Sequence, residues 1–152
     1  MIEVAQSNNG IVISQRKYAL DIFEEIGLMN SKFVDAPIDP NTKLLPNKRG
    51  PFSDPQKYKR LVGKLNYLTI TCPDISFAIS VMSQFLISTC LDHWNEVIRI
   101  LKYIKVSLAK GLLYGHSNHI KVVCYSDVYW TGSSNRRCTS GYCVFIGGNL
   151  IS

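Results

Sequence analysis

The fold is decided by the stretch QKYKRLVGKLNYLTITCPDISFAISVMSQFLISTCLDHWNEVIRILKYIKVSL, residues 56–108. Its apolar residues recur every three or four positions in three successive segments, which predicts three amphipathic helices. The first begins near Gln56, and the second opens at Pro73, a residue favoured in a first helical turn. The third follows Asp92, a good N-cap, and is predicted to end near Gly111. The three apolar stripes are Tyr58, Leu61, Val62, Leu65 and Leu68; Ile75, Ile79, Met82 and Leu86; and Trp94, Val97, Ile98, Leu101 and Ile104.

The residues before these helices predict a hairpin, one more helix and a linker. Alternating apolar residues surround the turn signal Asn8-Asn9-Gly10, so residues 1–14 are predicted to form a β-hairpin. Ser14 is expected to be the N-cap of a helix that Gly27 ends. Residues 30–55 contain five of the six prolines and are predicted to be an extended linker. The apolar face of the helix is predicted to carry Tyr18, Ile22, Phe23 and Ile26.

The C-terminal part of the chain has the composition of strands. Residues 121–126 and 141–146 are β-branched and aromatic, and residues 150–151 begin a third apolar run. A polar turn, residues 131–137, lies between the first two runs. A β-meander is the simplest arrangement, and the open edge at residues 149–152 is expected to belong to an incomplete sheet. The predicted fold class is therefore α+β.

Charge is distributed unevenly along a chain whose formal net charge is +6. Residues 1–50 carry six Lys and Arg against six Asp and Glu, whereas residues 51–152 carry eleven against five. A surface that faces nucleic-acid phosphates has this kind of excess, and a solvated basic surface without nucleic acid is the alternative. The candidate nucleic-acid-binding residues are Lys57, Lys59, Arg60, Lys64, Arg99, Lys102, Lys105, Arg136 and Arg137. Of these, Arg99, Lys102 and Lys105 lie away from the apolar stripe of the third helix and are expected on an exposed side.

Composition argues against several classes of protein. With 46% hydrophobic and 18% charged residues, the chain is not expected to be disordered. Five cysteines without a C-x-x-C pair indicate free thiols in a reducing compartment, the cytoplasm or nucleus, rather than a disulfide framework. Residues 75–91 are too few and too rich in serine for a membrane helix, and residues 1–10 lack the apolar run of a secretory signal. His116 and His119 form an H-x-x-H pair, but no nearby Cys or acidic residue completes a zinc site.

Five motifs occur in order along the chain: SQRKYALDIFEEIGLM, RLVGKLNYLTITCPDISFAISVMSQF, HWNEVIRILKYIK, GLLY and YSDVYWTGSSNRRCTSGYCVFIGGNLIS. Together they resemble the Pol polyprotein of copia-type LTR retrotransposons, at the end of its reverse transcriptase and the start of its ribonuclease H. The resemblance covers essentially the whole chain. It implies a palm and thumb remnant in residues 1–29, a Pro-rich linker in 30–55, a helical connection in 56–118 and a truncated ribonuclease H-like sheet in 119–152.

The resemblance also assigns chemistry to Asp127, which follows an apolar run and is predicted to end a strand. In this family an Asp in the pattern Y-S-D-A-D-W-A-G is the first of several carboxylates that bind Mg²⁺, and Asp127 is the matching residue. An Asp that only ends a strand and starts a turn is the alternative. The family's second Asp is Tyr129 here, its usual Arg before Pro-Asp is Cys72, and a position that is commonly Ser is Cys138.

Two-metal cleavage needs several carboxylates around the metal ions. No Asp or Glu follows Asp127, and the chain contains no adjacent Asp-Asp pair of the kind that a polymerase uses to hold Mg²⁺. We therefore expect a fragment of a reverse transcriptase and ribonuclease H that is inactive as an isolated chain and binds no Mg²⁺ tightly. The alternatives are a residual nucleic-acid-binding module, with salt-sensitive affinity for an RNA–DNA hybrid or a duplex, and a protein-interaction remnant. In the family, the rest of the Pol polyprotein would be a further partner, and no membrane partner is expected.

Overall fold

The computed structural model describes residues 1–39, 50–108, 110–129 and 139–151. Over these ranges the chain is α+β, as predicted, with four α-helices and two antiparallel sheets of three strands each. The helices are α1 (Arg16–Ile26), α2 (Pro55–Leu68), α3 (Ser76–Ser83) and α4 (Leu91–Ser107), and a 3-10 turn at Pro73–Ile75 precedes α3. The strands are β1 (Glu3–Ser7), β2 (Gly10–Ser14), β3 (Leu112–Gly115), β4 (Val122–Tyr129), β5 (Thr139–Ile146) and β6 (Asn149–Leu150).

The chain divides into two compact units. The helical unit comprises Met1–Glu3 and Ser14–Leu112, and the sheet unit comprises Val4–Ile13 and Leu113–Ser152. The palm, thumb and ribonuclease H-like assignments, and the domain boundaries that the resemblance implies, remain predictions.

The hydrophobic core lies in the helical unit, and the predicted apolar stripes supply most of it. Ile100 is fully buried although it was not among the predicted residues, whereas Ile98 is only half-buried. Tyr58 is fully buried, and its hydroxyl donates a 2.8 Å hydrogen bond to the carbonyl of Met82, which ties α2 to α3. The core side chains are Ala19, Ile22, Phe23, Tyr58, Leu61, Val62, Leu65, Leu68, Ile75, Ala78, Ile79, Met82, Val97, Ile100, Leu101 and Ile104.

The start of α1 differs from the prediction that Ser14 is the N-cap. The N-cap is Gln15, whose side chain makes no capping bond. Instead, the carboxylate of Glu3 accepts hydrogen bonds from the N–H of Lys17 and from the hydroxyl of Ser14, each at 3.1 Å. The helix ends as predicted at Gly27, whose φ of 76° lies in the left-handed region that glycine tolerates best.

The start of α4 also differs from the prediction, which made Asp92 the N-cap. The N-cap is Cys90, and the capping pair is reciprocal: the Cys90 side chain accepts from the backbone of His93, and the Cys90 N–H donates to His93 Nδ1 at 3.2 Å. Asp92 lies in the first turn instead, where its negative charge interacts favourably with the positive end of the helix dipole and stabilises the helix. The predicted start of α2 is confirmed, since Asp54 caps it by accepting from Lys57 N–H at 2.9 Å.

Two helices are shorter than predicted. The apolar stripe of α3 was expected to reach Leu86, but the helix ends at Ser83, after which the N–H groups of Gln84 and Phe85 bond to carbonyls three residues back. Such bonds tighten the last turn and end the regular helix. Helix α4 ends at Ser107, short of the predicted end near Gly111.

The strands confirm the hairpin and the meander. The first sheet has the order β1-β2-β3, and the second has the order β4-β5-β6 with antiparallel pairs. Strand β3 was not predicted. The edge expected at residues 149–152 is formed by the two-residue strand β6, and the predicted turn at residues 131–137 lies outside the described residues.

The Pro-rich segment has little regular structure where it is described. Residues 30–39 and 50–54 include one isolated bridge, between Pro51 and Cys90, and residues 40–49 lie outside the described ranges. Among the described helices, none has the length and apolar character that a bilayer crossing requires.

Candidate metal and nucleic-acid sites

The sequence predicted that Asp127 ends a strand, but in the structure it lies inside β4. The strand continues to Tyr129, and Asp127 is exposed and paired with Gly141 of β5. A Cβ placed on Gly141 would meet nothing within 4 Å, so the space beside the Asp127 carboxylate is open. The carboxylate is therefore accessible to solvent ions.

The described neighbours of Asp127 do not complete a metal site. Tyr125, two residues earlier on the same face of β4, contacts Phe145 edge to face, with ring centroids 6.0 Å apart. Opposite Tyr125 is Cys143. Within the described ranges, no group of three or more His, Cys, Asp or Glu residues is arranged to hold a metal ion. These residues do not fit a two-metal centre, which needs several carboxylates, so we derive no cleavage step through Mg²⁺.

The His116 and His119 pair lies on exposed chain after β3. The Nδ1 atom of His119 accepts from the backbone N–H of Lys121 at 3.4 Å, and the His119 carbonyl accepts from the Ser117 hydroxyl at 2.9 Å. These bonds give His119 a local role in a turn.

The basic residues of α2 are divided between ion pairs and solvent. Glu25 of α1 pairs with Lys64 and with Arg60, whose Nε lies 3.4 Å from Glu25 Oε1. The hydrogen bond from Lys64 is the main reason that the pKa of Glu25 is lowered. Lys57 lies over the ring of Trp94, 5.3 Å from its centroid, whereas Lys59 is exposed.

The basic residues of α4 were expected on an exposed side, but Arg99, Lys102 and Lys105 are half-buried. Lys105 Nζ donates to the carbonyls of Met29 and Ser31 at 2.7 and 2.6 Å. Arg99 Nε donates to the Ala36 carbonyl at 3.2 Å, and its Nη1 lies 3.9 Å from Asp39 Oδ2. Two of the three cations therefore hold the segment that follows α1 against α4.

The described basic residues of the predicted set lie on two helices, four on α2 and three on α4. Arg136 and Arg137 lie outside the described residues. The assignment of this set to nucleic-acid binding therefore stays a prediction.

A buried polar group near the start of α4 was missed at the sequence level. His93 is fully buried and stacks on Phe85 with ring centroids 3.9 Å apart, and its Nδ1 lies 3.4 Å from the sulfur of Cys90. Burial lowers the pKa of His93 and raises the pKa of Glu96, one helical turn further on. The three-residue spacing of Cys90 and His93 could have predicted this pair, because it matches the N-cap and N3 positions of a capping box. Cys90 is an unusual residue for that role, so the signal was weak.

Comparison with known proteins gives consistent relatives. The chain is 33% identical over 152 residues to a retrovirus-related Pol polyprotein from transposon RE2 and 34% identical to that from transposon RE1, both of Arabidopsis thaliana. Each match covers 99% of this chain and 10% of the polyprotein. The chain is also 32% identical to the uncharacterized mitochondrial protein AtMg00810 of the same plant, over 99% of this chain and 63% of that protein. No protein-family model matches the chain. No solved structure matches it either.

Proposed function

Because the chain belongs to the retrovirus-related Pol polyproteins of copia-type transposons, we propose that it covers the junction between the reverse transcriptase and the ribonuclease H of such a polyprotein. The order of the elements supports this proposal: a hairpin and a helix, then three helices, then the short strand β3 and a β-meander. That is the order expected for the end of a palm and thumb, a helical connection and the first strands of a nuclease sheet.

We further propose that this chain catalyses neither polymerisation nor cleavage by itself. The observation that carries the proposal is the isolation of Asp127, the last acidic residue of the chain, on an exposed strand with no cluster of metal-ligating residues described around it. A single carboxylate cannot position the two metal ions that stabilise the attacking and leaving oxygens of a phosphoryl transfer.

A cleavage assay tests this proposal. Purified protein would be incubated with a labelled RNA–DNA hybrid and Mg²⁺ or Mn²⁺, alongside Asp127→Ala and the matched control Asp21→Ala, which removes an exposed carboxylate from α1. The expected result is no cleavage above buffer by any of the three proteins. Metal-dependent cleavage that is kept in Asp21→Ala and lost in Asp127→Ala would overturn the proposal.

A second candidate function is sequence-independent binding of nucleic acid, which would survive without catalysis. It is favoured by the excess of positive charge in residues 51–152 and by Lys59 and Lys102, which make no ion pair or hydrogen bond with other described residues. Cations without a protein partner remain available to phosphates. The partner would be an RNA–DNA hybrid or another duplex.

Salt dependence tests this second function. Affinity for a short hybrid should fall steeply between low and moderate salt, because each neutralised phosphate releases counterions. Lys59→Gln should reduce the slope of log affinity against log salt by about 0.9 if Lys59 meets one phosphate of a duplex. Lys32→Gln, which removes an exposed Lys from the neutral N-terminal part of the chain, is the control. Affinity that does not change with salt, or equal slopes for the two variants, would contradict the proposed contact.

A reducing compartment, the cytoplasm or nucleus, is part of the same proposal. It is supported by the free thiols of Cys72, Cys90, Cys124 and Cys143. The Cys90 thiol is fully buried in the capping pair with His93, where oxidation would disrupt the start of α4.

A further inference from the structure

A recess of the helical unit has features of a ligand site that neither the family nor the proposed function assigns. It is a small recess, open to solvent, where the start of α1, the end of α2 and the end of α4 meet. Its apolar walls include Ala19, Leu68 and Ile104. Its polar members include Gln15 and Thr71.

The side chain of Gln15 is the feature that calls for a ligand. Only 3% of this residue is exposed, and its Oε1 accepts a 2.8 Å hydrogen bond from the hydroxyl of Thr71. That bond fixes the amide and leaves the Nε2 group, which is shielded from solvent and has no hydrogen-bond partner among the described residues. Buried donors in proteins are almost always paired, so Nε2 lacks the acceptor that its position requires.

The charge around the recess indicates that this acceptor is an anion. Arg16 and Lys110 are exposed residues of its wall, and the described residues that line it include no Asp or Glu. Gln15 is also the N-cap of α1, but the Glu3 carboxylate already accepts from Lys17 N–H at the positive end of that helix, at 3.1 Å. The cations Arg16 and Lys110 are therefore the charges that favour an anion at the recess.

The carbonyl groups at the C-terminal end of α4 carry partial negative charge and would repel an anion, but two of them are already hydrogen-bonded. The carbonyl of Ile104 accepts from the hydroxyl of Ser107 at 3.0 Å, and the carbonyl of Ser107 accepts from the N–H of Lys110 at 2.8 Å. These two carbonyls are therefore already paired.

We propose that this recess binds a phosphate group, with Gln15 Nε2 as the buried donor and Arg16 and Lys110 as the cations at its rim. The phosphate belongs either to free inorganic phosphate or to the end of a nucleic-acid strand. The proposal does not depend on the proposed function, because inorganic phosphate alone tests it.

The direct test is a titration of the full chain with inorganic phosphate, followed through the side-chain amide signals in a ¹H–¹⁵N NMR spectrum. The Gln15 amide pair, assigned by its loss in Gln15→Glu, should shift and saturate. Gln15→Glu keeps the acceptor for Thr71 and replaces the donor by a carboxylate oxygen, so phosphate affinity should fall by about tenfold or more, as for a lost hydrogen bond to a charged group. Gln84→Glu makes the same change at an exposed position and should leave the affinity within about twofold.

Two further measurements keep the test decisive. If Gln15→Glu does not fold, Lys110→Ala removes an exposed rim cation and should still weaken phosphate binding by a few-fold, about what an exposed ion pair contributes. Comparing a short oligonucleotide that carries a 5′-phosphate with the same strand ending in a 5′-hydroxyl distinguishes a strand end from free phosphate. A Gln15 amide signal that does not move with phosphate would overturn the proposal. So would backbone signals of Arg16 and Lys110 that move equally with phosphate in Gln84→Glu and Gln15→Glu.

Discussion

Glu3 shows how one residue can cap a helix that begins far from it in sequence. It lies in β1, and its carboxylate accepts from Lys17 N–H in the first turn of α1 and from the Ser14 hydroxyl. A carboxylate at this position satisfies an N–H that the helix cannot pair, and it also interacts favourably with the helix dipole.

Replacing Glu3 by Ala is therefore expected to lower the free energy of unfolding by about 1 kcal/mol, the usual value of an N-cap. Chemical denaturation followed by circular dichroism would measure the change. Glu24→Ala, which removes an exposed carboxylate near the other end of α1, should change stability by less than about 0.5 kcal/mol. Equal effects of the two substitutions would show that Glu3 does not cap α1.

The buried imidazole of His93 is expected to make the stability of the fold depend on pH. Burial lowers its pKa below the usual 6.5, so the unfolded chain takes up a proton at a higher pH than the folded chain does. The stability associated with neutral His93 is therefore present above about pH 6.5 and is lost as the pH falls through the lowered pKa. Glu96 acts in the opposite sense at more acidic pH, because its raised pKa lets the folded chain bind a proton first.

The free energy of unfolding, measured between pH 7.5 and 5.5, should fall for the wild type and change less in His93→Gln, which has no titrating group there. Gln is suited to this position because it can still accept from the N-cap N–H. His119→Gln, at an exposed position, should keep the wild-type dependence. If His93→Gln lost stability with pH as steeply as the wild type, His93 would not be the group responsible.

These two residues also show how far a sequence can identify capping groups. The Cys90 and His93 pair has the spacing of a local capping motif, so it was accessible in principle. Glu3 was not, because a capping group that comes from a strand 14 positions before Lys17 leaves no local pattern. Ser14 matched the local pattern, yet its hydroxyl bonds to Glu3.

At the scale of elements, α4 supplies both a core face and a support for the segment after α1. Its apolar stripe was predicted because burial imposes a helical period on the sequence. Its second role, in which Lys105 and Arg99 donate to carbonyls of residues 29–36, could not be predicted, because backbone carbonyls have no sequence signature. Strand β3 was missed for a related reason: its four residues gain their bonds from β2, which is remote in sequence.

Lys105→Met should loosen the segment after α1 while leaving the core intact. The apolar stem of the side chain is kept, but two charge-assisted hydrogen bonds are lost. Hydrogen exchange should become faster in residues 28–36, with a loss of global stability of about 1 kcal/mol or less for partly exposed bonds. Lys102→Met, in the same helix, is the control and should not change that exchange. Unchanged exchange in Lys105→Met would mean that these bonds do not hold the segment.

At the scale of the whole molecule, the helical unit contains the hydrophobic core, whereas the sheet unit leaves large side chains such as Tyr125 and Tyr142 more than half exposed. The helices were predictable because each carries its own period of apolar residues. The family was identified from five motifs, and two relatives that are 33% and 34% identical over 99% of the chain are Pol polyproteins of that family. Catalytic capacity depends on how many carboxylates surround Asp127, and we expect this carboxylate alone to bind Mg²⁺ only weakly.

A Mg²⁺ titration, followed through the backbone NMR signals of Asp127 and Gly141, measures this binding. With a single carboxylate, the signals should move only slightly and in proportion to the Mg²⁺ concentration, and Asp127→Asn should abolish even that movement. Signals that saturate at low Mg²⁺ in the wild type, and no longer do so in Asp127→Asn, would reveal a complete metal site at Asp127 and contradict the proposal that the chain is inactive by itself.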